Sequence, residues 1–189
     1  LVTRVWPPGF FTITGAGNVS IDANAGGITM AAGTVTNANA GTIALDATGD
    51  ISIDSLITTN NTADAVSVIT SGGGIIDVAG DGGVDITAAG ANAVVTLRAA
   101  NGIGSANALE TTVTNLDALN TTAGNIQIVE TDNLNIYQAR ESAAGNVSIT
   151  SGGNMTVSAD HQGVGTTTGT ILLSALGVGD LTVNDAVTS

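Results

Sequence analysis

One short phrase recurs along this chain: a glycine, a small polar residue, then two aliphatic residues separated by one further residue. It reads Gly17-Asn18-Val19-Ser20-Ile21, Gly41-Thr42-Ile43-Ala44-Leu45, Gly49-Asp50-Ile51-Ser52-Ile53, Gly124-Asn125-Ile126-Gln127-Ile128, Gly145-Asn146-Val147-Ser148-Ile149, Gly153-Asn154-Met155-Thr156-Val157, Gly169-Thr170-Ile171-Leu172-Leu173 and Gly179-Asp180-Leu181-Thr182-Val183. Each copy is a turn followed by a strand short enough to be one side of a coil, and such self-similarity marks a solenoid. The starts come in pairs, Gly41 with Gly49, Gly145 with Gly153 and Gly169 with Gly179. The pairs recur after about 21 to 26 residues, a coil length that fits a solenoid of β-strands. A β-sandwich also has short strands and frequent turns, but nothing in it requires one phrase to repeat down the whole chain.

The alternation of apolar and polar residues supports strands with one face inside, as in Val66/Val68, Val84/Ile86, Val95/Leu97 and Leu134/Ile136. Aromatic residues make up only 2% of the chain while hydrophobic residues make up 43%, so the core is built from Val, Ile, Leu and Ala. Small aliphatic side chains in repeated layers suit a narrow, flat-walled interior. The expected fold is therefore all-β, a right-handed parallel β-helix of roughly eight coils at ~4.8 Å per coil, each with two to three short strands. It is assigned to residues 15–189.

Charge narrows the partners. Three arginines, Arg4, Arg98 and Arg140, face sixteen acidic residues, a formal net charge of -13. Phosphate-rich surfaces need a basic footprint, so nucleic acid and anionic membranes are poor candidates. An acidic exterior without lysine repels its own kind and keeps a long extracellular fibre in solution. With no cysteine, stability has to come from backbone pairing and burial. No apolar run approaches the ~20 residues of a spanning helix, so membrane insertion is not expected. No signal peptide is recognisable at Leu1-Val2-Thr3, which would put any such signal upstream.

Two segments break the rhythm. Residues 1–14 hold Trp6, Phe10 and Phe11 around Pro7-Pro8-Gly9. They read as an N-terminal cap over the first apolar layer or as an arm that docks on a neighbour. Between Ala99 and Ala123, Leu109, Val113 and Leu116 fall at helical spacing, but the β-branched run Thr111-Thr112-Val113-Thr114 favours strands. At the other end no cap is recognisable after Leu181-Thr182-Val183, which suggests either a piece of a longer chain or a unit that stacks end to end.

Candidate chemistry is sparse. Asp22, Asp46 and Asp54 follow aliphatic pairs at matching positions and would stack carboxylates on successive coils, although an Asp that closes a strand by capping its turn explains them as well. Tyr137 is the one aromatic outside the N-terminal segment, with Arg140 and Glu141 near it as an ordinary surface pair. His161, the single histidine, reads as a solvated loop residue, too isolated for a metal site or a triad. Gly72-Gly73-Gly74-Ile75-Ile76-Asp77 and Gly80-Asp81-Gly82-Gly83-Val84-Asp85 approach a calcium-binding β-roll motif without completing it, so weak cation screening is the expectation there. Triplets of the glycosylation type at Asn18, Asn146 and Asn154 are the polar residue of the phrase itself, and those at Asn60 and Asn120 add no evidence of modification. No catalytic, cofactor-binding or metal-ligating residue is assigned.

The phrases from Ala144 to Val157 and Asn101-Gly102-Ile103-Gly104, followed by Leu109-Glu110-Thr111, resemble the repeat regions of filamentous-haemagglutinin-like exoproteins. That resemblance, from about Gly15 onward, implies a parallel β-helical shaft in a secreted or surface protein of bacteria; the secretion domain of the family has no recognisable counterpart here. The expected function is a structural module of an extracellular fibre or adhesin, not an enzyme, which stacks head to tail through its terminal coils with Trp6, Phe10 and Phe11 as candidate contacts. The alternative is a carbohydrate-active or glycan-binding β-helix protein. In that reading loops 54–65 or 158–168 carry the contact to a surface glycan or receptor.

Overall fold

The computed structural model describes residues 4–5, 10–12, 17–78 and 82–189. Among them there is no helix, and parallel strands stack as a β-solenoid of about seven turns, close to the coil number expected from the repeat. One sheet holds Arg4–Val5, Ile28–Thr29, Ile51–Ile53 and Ile75–Asp77. A second runs through Phe10–Thr12, Val35–Asn37, Ser55–Ile57, Ile86–Ala88, Leu109–Val113, Ile126–Glu130, Val147–Ser151 and Ile171–Ala175. The third runs through Val19–Ala23, Ile43–Ala47, Val66–Thr70, Val94–Ala99, Asn115–Asn120, Leu134–Glu141, Met155–Val157 and Leu181–Val183, with Gly163–Thr166 and Val187–Thr188 extending it.

The aliphatic pairs form columns through the core. Val19, Ile43, Val66, Val95, Leu116, Ile136, Val157 and Val183 stand in register, and beside them Ile21, Leu45, Val68, Leu97, Ala118, Ala139, Val164 and Val187. On the opposite wall an isoleucine ladder passes from Ile28 through Ile51, Ile75, Ile103 and Ile126 to Val147. Single bridges at Ile103 carry that ladder on after the first sheet stops, and strand Ile126–Glu130 continues it while also pairing with Leu109–Thr111. There the ladders of the first and second sheets meet at Ile126–Glu130, and two successive turns carry two strands each, Leu109–Val113 with Asn115–Asn120 and Ile126–Glu130 with Leu134–Glu141. Aliphatic side chains stacked at the strand spacing fill such an interior without aromatic rings.

The phrase has a physical reason at each position. Its glycine lies where stacked turns touch: a methyl group at Gly145 would overlap the carbonyl oxygen of Gly124, and one at Gly169 would overlap that of Gly145. Its polar residue bonds to the next turn. Asn18 Oδ1 accepts the Thr42 N–H at 3.0 Å, Asp50 Oδ1 that of Gly74 at 2.8 Å, Asn125 Oδ1 that of Asn146 at 2.9 Å, Asn146 Oδ1 that of Thr170 at 2.8 Å, and Asn154 Oδ1 that of Asp180 at 2.8 Å. The Asn of the phrase therefore lengthens the backbone ladder around the turns.

The break around Ala99 to Ala123 resolves into strands Leu109–Val113 and Asn115–Asn120, as the β-branched run predicts. Of residues 1–14, Arg4–Val5 and Phe10–Thr12 pair in parallel with Ile28–Thr29 and Val35–Asn37. Trp6 and the Pro7-Pro8-Gly9 turn lie outside the described residues, as does the rest of the cap-or-arm expectation.

Candidate functional site

Where the chain turns from the first sheet to the second, carboxylates gather. Asp77 ends its strand on an inward position, in register above Ile53. Asp85 precedes strand Ile86–Ala88 and donates its N–H to the Glu110 carbonyl at 2.8 Å. One turn further on, Glu110 sits on strand Leu109–Val113, and Asn107 just before it directs its side-chain amide at Asp77 Oδ2. A ligand atom from each of Asp77, Asp85 and Glu110 lies within 4.8 Å of the others. Asp85 is fully buried and Asp77 is 3% exposed. Burial, opposed by the hydrogen bond from the Glu110 N–H and reinforced by Asp77 and Glu110, pushes the Asp85 carboxyl up to about 8.

Asp54 also lies at this corner and is buried, in the turn below. The matching spacing of Asp22, Asp46 and Asp54 thus holds only in part. Asp22 and Asp46 are in register and exposed on the outer face of the third sheet, whereas Ile69 occupies the next place in that column. Asp54 follows a strand of the first sheet, so it lies at a different corner of the coil.

The remaining sequence candidates meet on the outside of the third sheet. Relative to Leu116 and Asp117 on the neighbouring strand, Tyr137 is an extra residue, a bulge in strand Leu134–Glu141. Its ring stacks on His161 with centroids 3.8 Å apart and planes 10° apart. Arg140 donates to the Gln162 carbonyl at 3.2 Å, and Arg98 pairs with Asp117 at 2.6 Å. The expected surface pair of Arg140 and Glu141 does not form: strand alternation sends Glu141 inward, where it is 2% exposed and accepts from the Asn120 amide at 2.5 Å.

Glu141 belongs to a set of interior polar residues at the corners, which sequence reasoning missed. Thr58, Thr70 and Thr166 each donate a hydroxyl at 2.6 Å to the carbonyl of a phrase glycine, Gly41, Gly49 and Gly145 respectively. Glu130, 2% exposed, accepts from Thr111 Oγ1 at 2.6 Å, the Val113 N–H at 3.0 Å and the Asp132 N–H at 3.2 Å. Burial outweighs these bonds and raises its carboxyl to about 7. The signal in the sequence was a polar residue at the inward end of an alternating strand, where a core residue is otherwise expected.

Two shallow surface grooves have volumes of about 230 and 260 Å³, one lined by Asp50, Ile76, Asn101 and Asn107 and the other by Gln127, Ser148 and Leu172. Small-molecule clefts usually measure roughly 300–1,000 Å³. Among the described residues no helix is long and apolar enough to cross a membrane. No protein-family model, curated protein or solved structure matches this chain.

Proposed function

We propose that this chain is a structural module of an extracellular bacterial fibre or adhesin, a stiff β-solenoid shaft whose work is mechanical. The observation that carries this reading is the continuous turn-to-turn bonding: parallel strands on every side, with Asn and Asp side chains adding bonds where the strands stop. A rod so bonded resists bending because every turn is held on several sides. The acidic exterior, with a net charge of -13, keeps such rods apart side to side and suits secretion to the cell surface.

Head-to-tail stacking is part of the proposal, with a second copy of this chain as the partner. In the last described turn Leu181, Val183 and Val187 are 44%, 51% and 40% exposed, although Val183 and Val187 continue columns that are buried in every earlier turn from Ile43 and Leu45 onward. A first turn of parallel strands from another copy extends those columns, and a contact of this heterologous kind propagates without closing. Electron microscopy of the purified chain with a concentration series of light scattering tests both parts. Filaments that lengthen with concentration support the stacking shaft. Rods about 35 Å long, from about seven turns at ~4.8 Å, support the shaft alone. Compact spheres refute both.

A second reading, glycan binding, is favoured at one place by the Tyr137–His161 stack beside Arg140 and Gln162, since sugars pack on ring faces and bond to such polar groups. A glycan array on which signal disappears in Tyr137→Ala supports it, and an array with no signal rejects it.

A further inference from the structure

We propose that Asp77, Asp85 and Glu110 form a calcium site that clamps one turn of the solenoid to the next. It is independent of the shaft reading above. Each of the two aspartates uses one carboxylate oxygen on a neighbour: Asp85 Oδ2 accepts the Glu110 N–H at 2.8 Å, and Asp77 Oδ2 faces the Asn107 amide. The other oxygen of each, Asp77 Oδ1 and Asp85 Oδ1, is buried and meets no hydrogen-bond donor. Buried carboxylates in such positions take up a proton, pair with a cationic side chain or coordinate a metal ion. Arg98 and Arg140 are engaged elsewhere, with Asp117 and the Gln162 carbonyl. A bound cation supplies the missing partner for both oxygens and relieves the repulsion among three neighbouring carboxyls.

The donors suit calcium. Ligand oxygens stand 2.3–2.6 Å from calcium, so one ion touches oxygens up to roughly 4.6–5.2 Å apart. The ligand atoms of this cluster lie within 4.8 Å of one another, inside that reach. All three donors are carboxylates, which disfavours the ions that prefer nitrogen or sulfur. Glu110 is only partly buried, which opens the cluster to solvent for entry of the ion and for the water ligands that complete its shell.

The placement gives the site its effect. Asp77 and Asp85 close the two glycine-rich segments that approach the β-roll motif, while Glu110 belongs to the following turn. The fold brings these two final aspartates together with a glutamate from a different stretch of chain. Calcium held there ties both aspartates to the next turn.

Isothermal titration with calcium chloride, paired with thermal unfolding in calcium chloride and in EDTA, tests this. One saturable site is expected, with a calcium-dependent rise in the unfolding midpoint. Glu110→Gln and Asp85→Asn should weaken binding roughly tenfold or more and abolish the rise, as loss of a ligand does. Asp46→Asn, which removes a carboxylate from the exposed stack, should leave both unchanged. Glu110 is partly exposed, so its variant keeps the test decisive should Asp85→Asn fail to fold. Absence of a saturable site, or equal binding by Glu110→Gln and the unsubstituted chain, would overturn the proposal in favour of diffuse screening by the acidic surface.

Discussion

The side chain of Asn146 leaves its own turn and accepts both the N–H and the hydroxyl of Thr170, at 2.8 and 2.9 Å. Its own N–H is bound in turn by Asn125 Oδ1. Asn146→Ala removes the first pair of bonds without touching the core, so it should destabilise the chain by about 1 kcal/mol, the usual net worth of an exposed bond of this kind. Asn146→Asp, which can still accept, should recover most of that loss in urea unfolding. Equal midpoints for Asn146→Ala and the unsubstituted chain would mean that water replaces the ladder without cost. Inside the coil, Glu130 makes a different demand. Its carboxyl is raised in the folded state from 4.5 to about 7, so the folded chain holds that proton more tightly than the unfolded chain does. The resulting stability is fully present below about 4.5 and lost as pH rises through about 7. Unfolding free energy measured across this window should carry a falling contribution that Glu130→Gln lacks, and identical profiles for the two chains would contradict the assignment.

At the scale of a strand, Val147–Ser151 shows how much the pattern determines. Val147 and Ile149 are fully or almost fully buried, while Ser148 and Thr150 are only half-buried on the outside. Ile149→Ala should cost about 2–5 kcal/mol through lost burial and the cavity left behind. Ile149→Asp should abolish cooperative thermal unfolding, whereas Thr150→Asp should shift the midpoint little. A small loss in Ile149→Ala would show that this strand is not part of the packed core. These strands were legible because the period of two and the phrase glycine agree. The corners were not. Asp54 looks like Asp22 and Asp46 in the sequence, yet it turns into a second strand, Ser55–Ile57, after a single residue, and its side chain is buried. The approach of Asp77, Asp85 and Glu110 was equally hidden, because it depends on the register of Ile86 with Thr111, a partner 25 residues further along the chain. Local pattern specifies each strand; which corners coincide depends on how many residues each turn inserts.

For the chain as a whole, end-to-end contact turns on the last described turn. The columns that start at Val19 and Ile21 reach it, where Val183 and Val187 are half-exposed and Ile171, Leu173 and Ala175 are only partly covered. Apolar area there stabilises contact at roughly 25 cal/mol per Å² removed from water, and the open strand edges add backbone bonds. Net charge acts against it, since every copy carries -13, so end-to-end contact should be favoured by salt, which screens that repulsion within about 10 Å at 0.1 M. Light scattering at rising protein concentration should therefore show growth that is steeper in salt. Val183→Asp and Val187→Asp together should suppress growth while leaving circular dichroism of the strands intact, because both residues lie beyond the last fully covered layer. Growth unchanged by the double substitution would place the contact elsewhere on the rod. Loss of strand signal together with growth would instead make these residues part of the fold of a single copy.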